Sequence, residues 1–340
     1  MGACDVRSAL CGVRVRGALR SLVLGGLVML ASATAAYGQT ARFAMVISGT
    51  SGGEEFAAKY RQWLDGITKV LKEKGGLDAA HLIVLTEQPA AGELKATADV
   101  VKAQLAALAE RVKPADQLFI MLIGHGGGAG MDAKFNLVGP DLSAAEWNAL
   151  LKPVKGRLVF VDATGSSYGF LVGLAAPGRV VITATNSAAQ QFDTVFADGF
   201  IRAFSSAAAD SDKNGRVSLW EAFAFASREV AQYYEQKGVL PTEHAVLDDV
   251  GEGVGKLATA ATGQDGSLAK MTYLDTPAVA HSADQAVQAL IDQQQTLIGQ
   301  VDDLLRARRM MSPADFEQTF EKVITDLAIV SRDIRRKTGG

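Results

Sequence analysis

The residues best placed to do chemistry sit where apolar runs break into small residues. Leu118–Ile123 is a continuous apolar stretch that gives way to Gly124, His125 and three further glycines. A short apolar run closed by glycine reads as a buried strand, and the loop after it lies at the carboxyl end, where open α/β sheets build their sites. Arg157–Phe170 (RLVFVDATGSSYGF) has the same form, a strand ending in Asp162 and opening into Thr164, Ser166 and Ser167. If the two strands are neighbours, His125 faces Asp162 and three hydroxyls across one crevice. A His–Asp pair activating Thr164, Ser166 or Ser167 is the arrangement for acyl transfer. The plainer alternative is a histidine kept for packing or hydrogen bonding. Neither serine lies in the G-x-S-x-G turn that presents a hydrolase nucleophile.

A second constellation has the donor pattern of a calcium loop. Asp210, Asp212, Asn214, Arg216 (through its carbonyl), Ser218 and Glu221 occupy positions 1, 3, 5, 7, 9 and 12 of an EF-hand loop, with Gly215 at the sharp turn. Calcium requires hard oxygen donors at alternate positions and a bidentate carboxylate to close the shell. Lys213 and Arg216 are interleaved among three carboxylates, so the expected affinity is modest and the expected role a structural staple. The alternative is an acidic helix-capping turn. The acidic, glycine-rich turn around Asp248, Asp249 and Glu252 is a poorer metal site and reads as exposed. His81, His244 and His281 have no metal-ligand spacing. The glycine-rich turn Ser48–Gly53 lacks the Gly-Lys-Ser/Thr ending of a phosphate loop.

The elements that must position these residues alternate. Phe43–Ile47, His81–Thr86, the His125 strand, Leu158–Val161 and Arg179–Ala184 read as buried strands. Helical patterns cover Glu54–Lys72, a segment capped by Thr97, and stretches near 198–208 and 219–236. Apolar strands alternating with helices predict a mainly parallel α/β sheet covered on both faces. Residues 256–282 are small and polar and read as a linker. Residues 283–337 carry two apolar stripes, the second capped by Ser312 with Pro313 in its first turn, and predict a helical hairpin.

Composition excludes some classes. The chain has 340 residues, 48% hydrophobic and 21% charged, which is ordinary for a globular protein. Arg7, Arg14, Arg16 and Arg20, the apolar Leu22–Ala31 and the small residues before Gly38 read as a secretory signal peptide, residues 1–38. That segment holds four of the 34 basic and one of the 37 acidic residues, leaving 30 against 36 and a net charge of −6. A net acidic chain argues against a nucleic-acid partner. No later stretch is long and apolar enough to span a membrane, so the expected location is periplasmic or secreted. Both cysteines, Cys4 and Cys11, fall in the segment expected to be removed.

An apolar strand followed by Gly-His-Gly-Gly, then a second strand ending in Asp162-Ala163-Thr164, resembles the caspase-like cysteine peptidases, above all their legumain-type branch. The resemblance covers about residues 42–255. It implies a caspase-like α/β sandwich over residues 39–255, His125 at the position of the catalytic histidine and Thr164 at that of the nucleophilic cysteine. Caspase-like catalysis needs a thiolate, and a β-branched alcohol is no substitute without strong activation. Arg179–Thr185, the calcium-like loop and Glu243–Asp249 also fit a group of exported bacterial proteins that resemble this fold and lack the cysteine.

The leading expectation is therefore an exported pseudo-peptidase that binds a peptide or protein partner through the crevice or the hairpin, with a structural calcium ion and no organic cofactor. Two alternatives stand beside it. One is a hydrolase using His125, Asp162 and a Ser or Thr nucleophile; the other is an envelope protein that serves assembly. By analogy with legumain-like enzymes, the hairpin is expected to cover the crevice.

Overall fold

The computed structural model describes residues 40–261, 265–275, 284–307 and 311–338; the expected signal peptide and His281 lie outside them. In chain order the strands are β1 (Arg42–Ser48), β2 (Leu82–Thr86), β3 (Leu94–Lys95), β4 (Gln117–Ile123), β5 (Gly126–Gly127), β6 (Lys134–Phe135), β7 (Leu142–Ser143), β8 (Arg157–Asp162), β9 (Arg179–Thr183) and β10 (Val246–Asp248). The helices are α1 (Glu54–Glu73), α2 (Ala98–Arg111), α3 (Ala144–Leu151), α4 (Tyr168–Leu174), α5 (Phe196–Ala203), α6 (Leu219–Lys237), α7 (Ser267–Lys270), α8 (Gln285–Ala307) and α9 (Pro313–Thr338).

The main sheet runs β10-β9-β8-β4-β1-β2-β3. Every pairing in it is parallel except β10 on β9. Side chains alternate across each strand, and both sets are apolar, so each face must be covered. Ala44 and Val46 of β1 pack with Trp63 and Leu64 of α1, Phe200 of α5 and Phe223 of α6. Phe43, Met45 and Ile47 point the other way, to Val101 and Leu105 of α2, Trp147 of α3 and Phe170 of α4. The result is the expected three-layer α/β sandwich. Burial of each such side chain contributes roughly 1.5–3 kcal/mol.

Chain order reverses between β1 and β4: β1 leads outward to β2 and β3, and β4 leads the opposite way to β8 and β9. Loops diverge at such a switch point and leave a crevice outside the carboxyl ends of the strands. The β4–β8 register pairs Leu122 with Asp162, which sets the His125 and Thr164 loops side by side, as their sequences require. Residues beyond β4 form a small antiparallel sheet, β5-β6-β7, which the sequence pattern did not reveal. Gly49 is needed beneath it, since a Cβ there would lie 2.1 Å from the Asn136 carbonyl oxygen.

Two segments differ from expectation. The described part of the stretch read as a linker packs on the sandwich: Ala269, Thr272 and Leu274 are buried. Gln117 donates to the Tyr273 carbonyl at 3.1 Å, and Arg42 donates to the carbonyls of Leu274 and Asp275. In the turn expected to be exposed, Glu252 is exposed but Asp248 and Asp249 are buried. Asp248 accepts the N–H groups of Val250, Gly251 and Gly253, and Asp249 accepts those of Gly266 and Ala269. These carboxylates organise loop backbone. Past residue 283 the expected hairpin forms: Gln294 of α8 donates to Ser331 of α9 at 2.8 Å, and Leu297 of α8 packs with Val323 and Val330 of α9. The Ser312 hydroxyl caps α9 by accepting the Asp315 N–H.

Candidate functional site

His125 projects from the loop after β4 into the crevice. Its Nδ1 lies 3.0 Å from a carboxylate oxygen of Asp193, and its Nε2 lies 2.9 Å from the Ser51 carbonyl oxygen. A neutral imidazole can donate to only one of these acceptors. The Tyr60 hydroxyl is within 3.3 Å of both ring nitrogens, and the Phe56 ring meets the imidazole edge-on at 4.9 Å. Burial, and then the charge of Asp193, push the Tyr60 phenol above its ordinary range. Both histidine nitrogens are thus engaged on the α1 side of the crevice.

Asp162 points elsewhere. Its Oδ1 accepts the Thr164 hydroxyl at 2.7 Å and the Thr164 N–H at 3.0 Å. Its Oδ2 has no partner among the described residues. The carboxyl is wholly buried, and desolvation outweighs the two hydrogen bonds and pushes its pKa up to about 7. The carboxylate on His125 is therefore Asp193, and Asp162 serves Thr164. Asp193 gave no local signal, because it stands in a loop of small and amide residues.

The three candidate hydroxyls are sealed. Thr164 and Ser167 are 0% exposed and Ser166 is 2% exposed. The Thr164 hydroxyl also approaches the Gly165 carbonyl at 3.1 Å. Gly126 closes over it: a Cβ at that position would lie 2.7 Å from Thr164 Oγ1 and 2.5 Å from the Gly165 oxygen. Ser167 and Thr185 share a hydrogen bond at 3.0 Å between their hydroxyls, and Ser167 Oγ accepts the Thr185 N–H. Ser166 is unusual in two respects. Its φ is +56°, a conformation that costs a non-glycine residue about 1 kcal/mol or more, and its hydroxyl has no partner among the described residues.

The loop at 186–195 lies across these residues and is held at both ends. The Ser166 N–H donates to the Gln190 carbonyl at 2.8 Å, and the Gln190 amide meets His244 Nδ1 at 2.6 Å. Glu243 accepts the N–H groups of Val195 and Phe196 and the Tyr234 hydroxyl. Burial pushes the Glu243 carboxyl up to about 7 despite those bonds. The sequence marks Glu243-His244 as a distinct stretch but not its role as a clamp. Phe192, at the loop tip, is 66% exposed. A groove of about 480 Å³ lies between α1, α5 and α6, bordered by Lys59, Trp63, Val195, Arg202 and Tyr233; His125, Asp162, Thr164, Ser166 and Ser167 do not line it.

The acidic loop before α6 brings carboxylate oxygens of Asp210, Asp212 and Glu221 within 4.8 Å of one another. Gly215 takes φ +83°, as the sharp turn demands. Asp210 accepts the N–H groups of Asn214 and Gly215, and Asn214 Oδ1 accepts that of Arg216. Arg216 stacks over the Tyr273 ring at 3.8 Å and pairs with Asp275 at 2.9 Å, so only its carbonyl is offered to the loop. Ser218 and Glu221 form a capping box on α6. Burial raises the Glu221 carboxyl, but the bonds from Ser218 and Ser211 outweigh it and hold the pKa below the ordinary value. The all-oxygen donor set and turn geometry fit calcium, and binding would exchange Glu221's capping bonds for the ion.

No family model and no curated protein matches this chain. Among solved structures it is similar to protein GSU0716 of Geobacter sulfurreducens, at 13% identity and TM-score 0.41, covering 69% of this chain and 99% of that one. It is also similar to the Drosophila initiator caspase Dronc, at 11% identity and TM-score 0.38, covering 65% and 84%. A third likeness is to Raptor of Chaetomium thermophilum, at 9% identity and TM-score 0.32, where the chain spans a quarter of that protein's length. At such identities no residue correspondence follows. Among the described residues no helix is long and apolar enough to cross a membrane.

Proposed function

We propose that this chain is an exported pseudo-peptidase of caspase/legumain type, a non-catalytic module that binds a peptide or protein segment in the crevice at the β1–β4 switch point. The observation that carries the reading is the sealing of the candidate nucleophiles. Thr164, Ser166 and Ser167 are buried, the Thr164 hydroxyl is spent on Asp162, and His125 is held by Asp193 and Ser51. The only two cysteines, Cys4 and Cys11, belong to the proposed signal peptide. A crevice without an accessible nucleophile retains rim groups for recognition: Asp193, partly exposed beside His125, and the open ring of Phe192. The loop before α6 would hold calcium through Asp210, Asp212, Asn214, Ser218, Glu221 and the Arg216 carbonyl, pinning the α5–α6 connection to the Tyr273 segment.

Panning a displayed peptide library against the purified chain tests the binding role. Enriched peptides are expected to bind at least about tenfold more weakly to the Phe192→Ala and Asp193→Ala variants, the loss typical of one well-packed contact. Affinity unchanged in both variants would remove the crevice as the binding site. One observation favours a second reading. Ser166 combines a left-handed backbone with an unpartnered hydroxyl, so a hydrolase, if this is one, would use Ser166 after the 186–195 loop moves.

A further inference from the structure

Helix α1 borders two depressions at once. Phe56 and Tyr60 meet His125 on the crevice side, with ring centroids 4.9 and 5.5 Å away. Lys59 and Trp63, each three residues further along the same helix and so next to them on its surface, line the groove between α1, α5 and α6. The Tyr60 and Trp63 rings are 5.8 Å apart, so His125, Tyr60 and Trp63 make one aromatic row from crevice to groove. The facing chain is equally continuous. Asp193 holds His125, the Thr194 carbonyl accepts from Lys59 Nζ at 3.1 Å, and Val195 lines the groove. Two ring spacings are a distance that an extended peptide covers in about three residues.

The chemistry of the groove says what it fits. Its volume of about 480 Å³ is that of a ligand site. Its charges balance, Lys59 and Arg202 against Asp198 and Glu229, and Arg202 Nη1 lies 3.3 Å from Asp198 and 3.0 Å from Glu229. A trough without net charge selects neither a strongly acidic nor a strongly basic ligand. What it offers instead is amide: Gln62 of α1 and Gln232 and Gln236 of α6 are exposed along it. A carboxamide carries both donors and an acceptor, which suits the alternating N–H and C=O groups of an extended peptide. We propose that the groove continues the crevice: a peptide anchored at Phe192 and Asp193 crosses the Lys59–Thr194 contact and lays its next residues, polar ones, between α1 and α6. This rests on the crevice reading given above and adds a second, specificity-setting half to the same site.

Fluorescence anisotropy with a labelled peptide enriched from the displayed library tests this on the full chain. The peptide is used whole and shortened by about three residues from either end. Gln62→Ala/Gln232→Ala removes two exposed amides, and an unchanged urea midpoint checks its folding. The double variant should bind the whole peptide about tenfold more weakly, the loss expected of two hydrogen bonds. Shortening one end should weaken binding to the wild type by a similar factor and erase the effect of the double variant. Shortening the other end should leave that effect in place and erase the effect of Phe192→Ala. A double variant that binds the whole peptide as the wild type does, while Phe192→Ala weakens it, overturns the groove and leaves the crevice reading standing. Binding weakened by the double variant but untouched by Phe192→Ala and Asp193→Ala overturns the crevice reading, and with it the continuous path. A library that enriches no peptide overturns both.

Discussion

Asp162 is wholly buried, accepts two bonds from Thr164 and leaves its second oxygen without a partner among the described residues. Replacing it with asparagine keeps the shape and an acceptor for Thr164 but removes the ionisation. The carboxyl pKa stands at about 7 in the fold, against 3.8 for an unperturbed aspartate. A raised folded pKa means that the native state holds the proton more tightly, so the stabilisation is fully present below the unfolded pKa and is lost as pH rises to about 7. At about 1.4 kcal/mol per pK unit, the whole loss is on the order of 4 kcal/mol, of which roughly 2.5 falls between pH 5 and pH 8. The assay is urea unfolding of wild type and Asp162→Asn at both pH values. Taking the difference between the two proteins cancels every other titrating group. Wild type should lose roughly 2.5 kcal/mol relative to the variant on going from pH 5 to pH 8. A difference that is flat with pH, or that grows in favour of wild type, would show that Asp162 is ionised and partnered, as a catalytic carboxylate should be.

Other expectations follow from the same packing. Thr164→Val keeps the volume but removes the hydroxyl that Asp162 accepts, and should cost about 1–3 kcal/mol in chemical denaturation; no loss would mean that the bond is not made in solution. Gly126→Ala drives a Cβ against backbone and should destabilise by about 1–3 kcal/mol, read as a lower urea midpoint; a neutral result would separate the two loops. Calcium should raise the melting temperature of the wild type, and Asp210→Asn with Glu221→Gln should abolish that rise; a rise retained in the double variant would place the ion at another site.

The parts legible in the sequence were those with a local signature. Unbroken apolar runs such as Leu118–Ile123 announce buried parallel strands, and the spacing Asp210 to Glu221 announces a loop with oxygens on alternate residues. A cap such as Ser312 ahead of Pro313 marks a helix start to the residue. What was hidden lacked a period or depended on distant partners. The two-residue strands β5, β6 and β7 are too short to show alternation, and α4, YGFLVGL, reads as loop because of its glycines. The 265–275 segment is small and polar like a linker, yet it is fastened by Asp249, Gln117 and Arg42, none of them near it in sequence. The pairing of His125 with Asp193 instead of Asp162 follows from the 186–195 loop, whose position is set by Glu243 and His244 some fifty residues later.

The central claim, a crevice without a usable nucleophile, is tested most directly by an activity screen of the purified chain with calcium and with chelator. The screen combines a peptide-substrate library with a serine-directed phosphonate probe and uses His125→Ala as control. The account expects neither turnover nor labelling in either condition, from protein that is folded by circular dichroism. Turnover or labelling that disappears in His125→Ala would contradict it, and mapping the labelled residue would then identify the nucleophile.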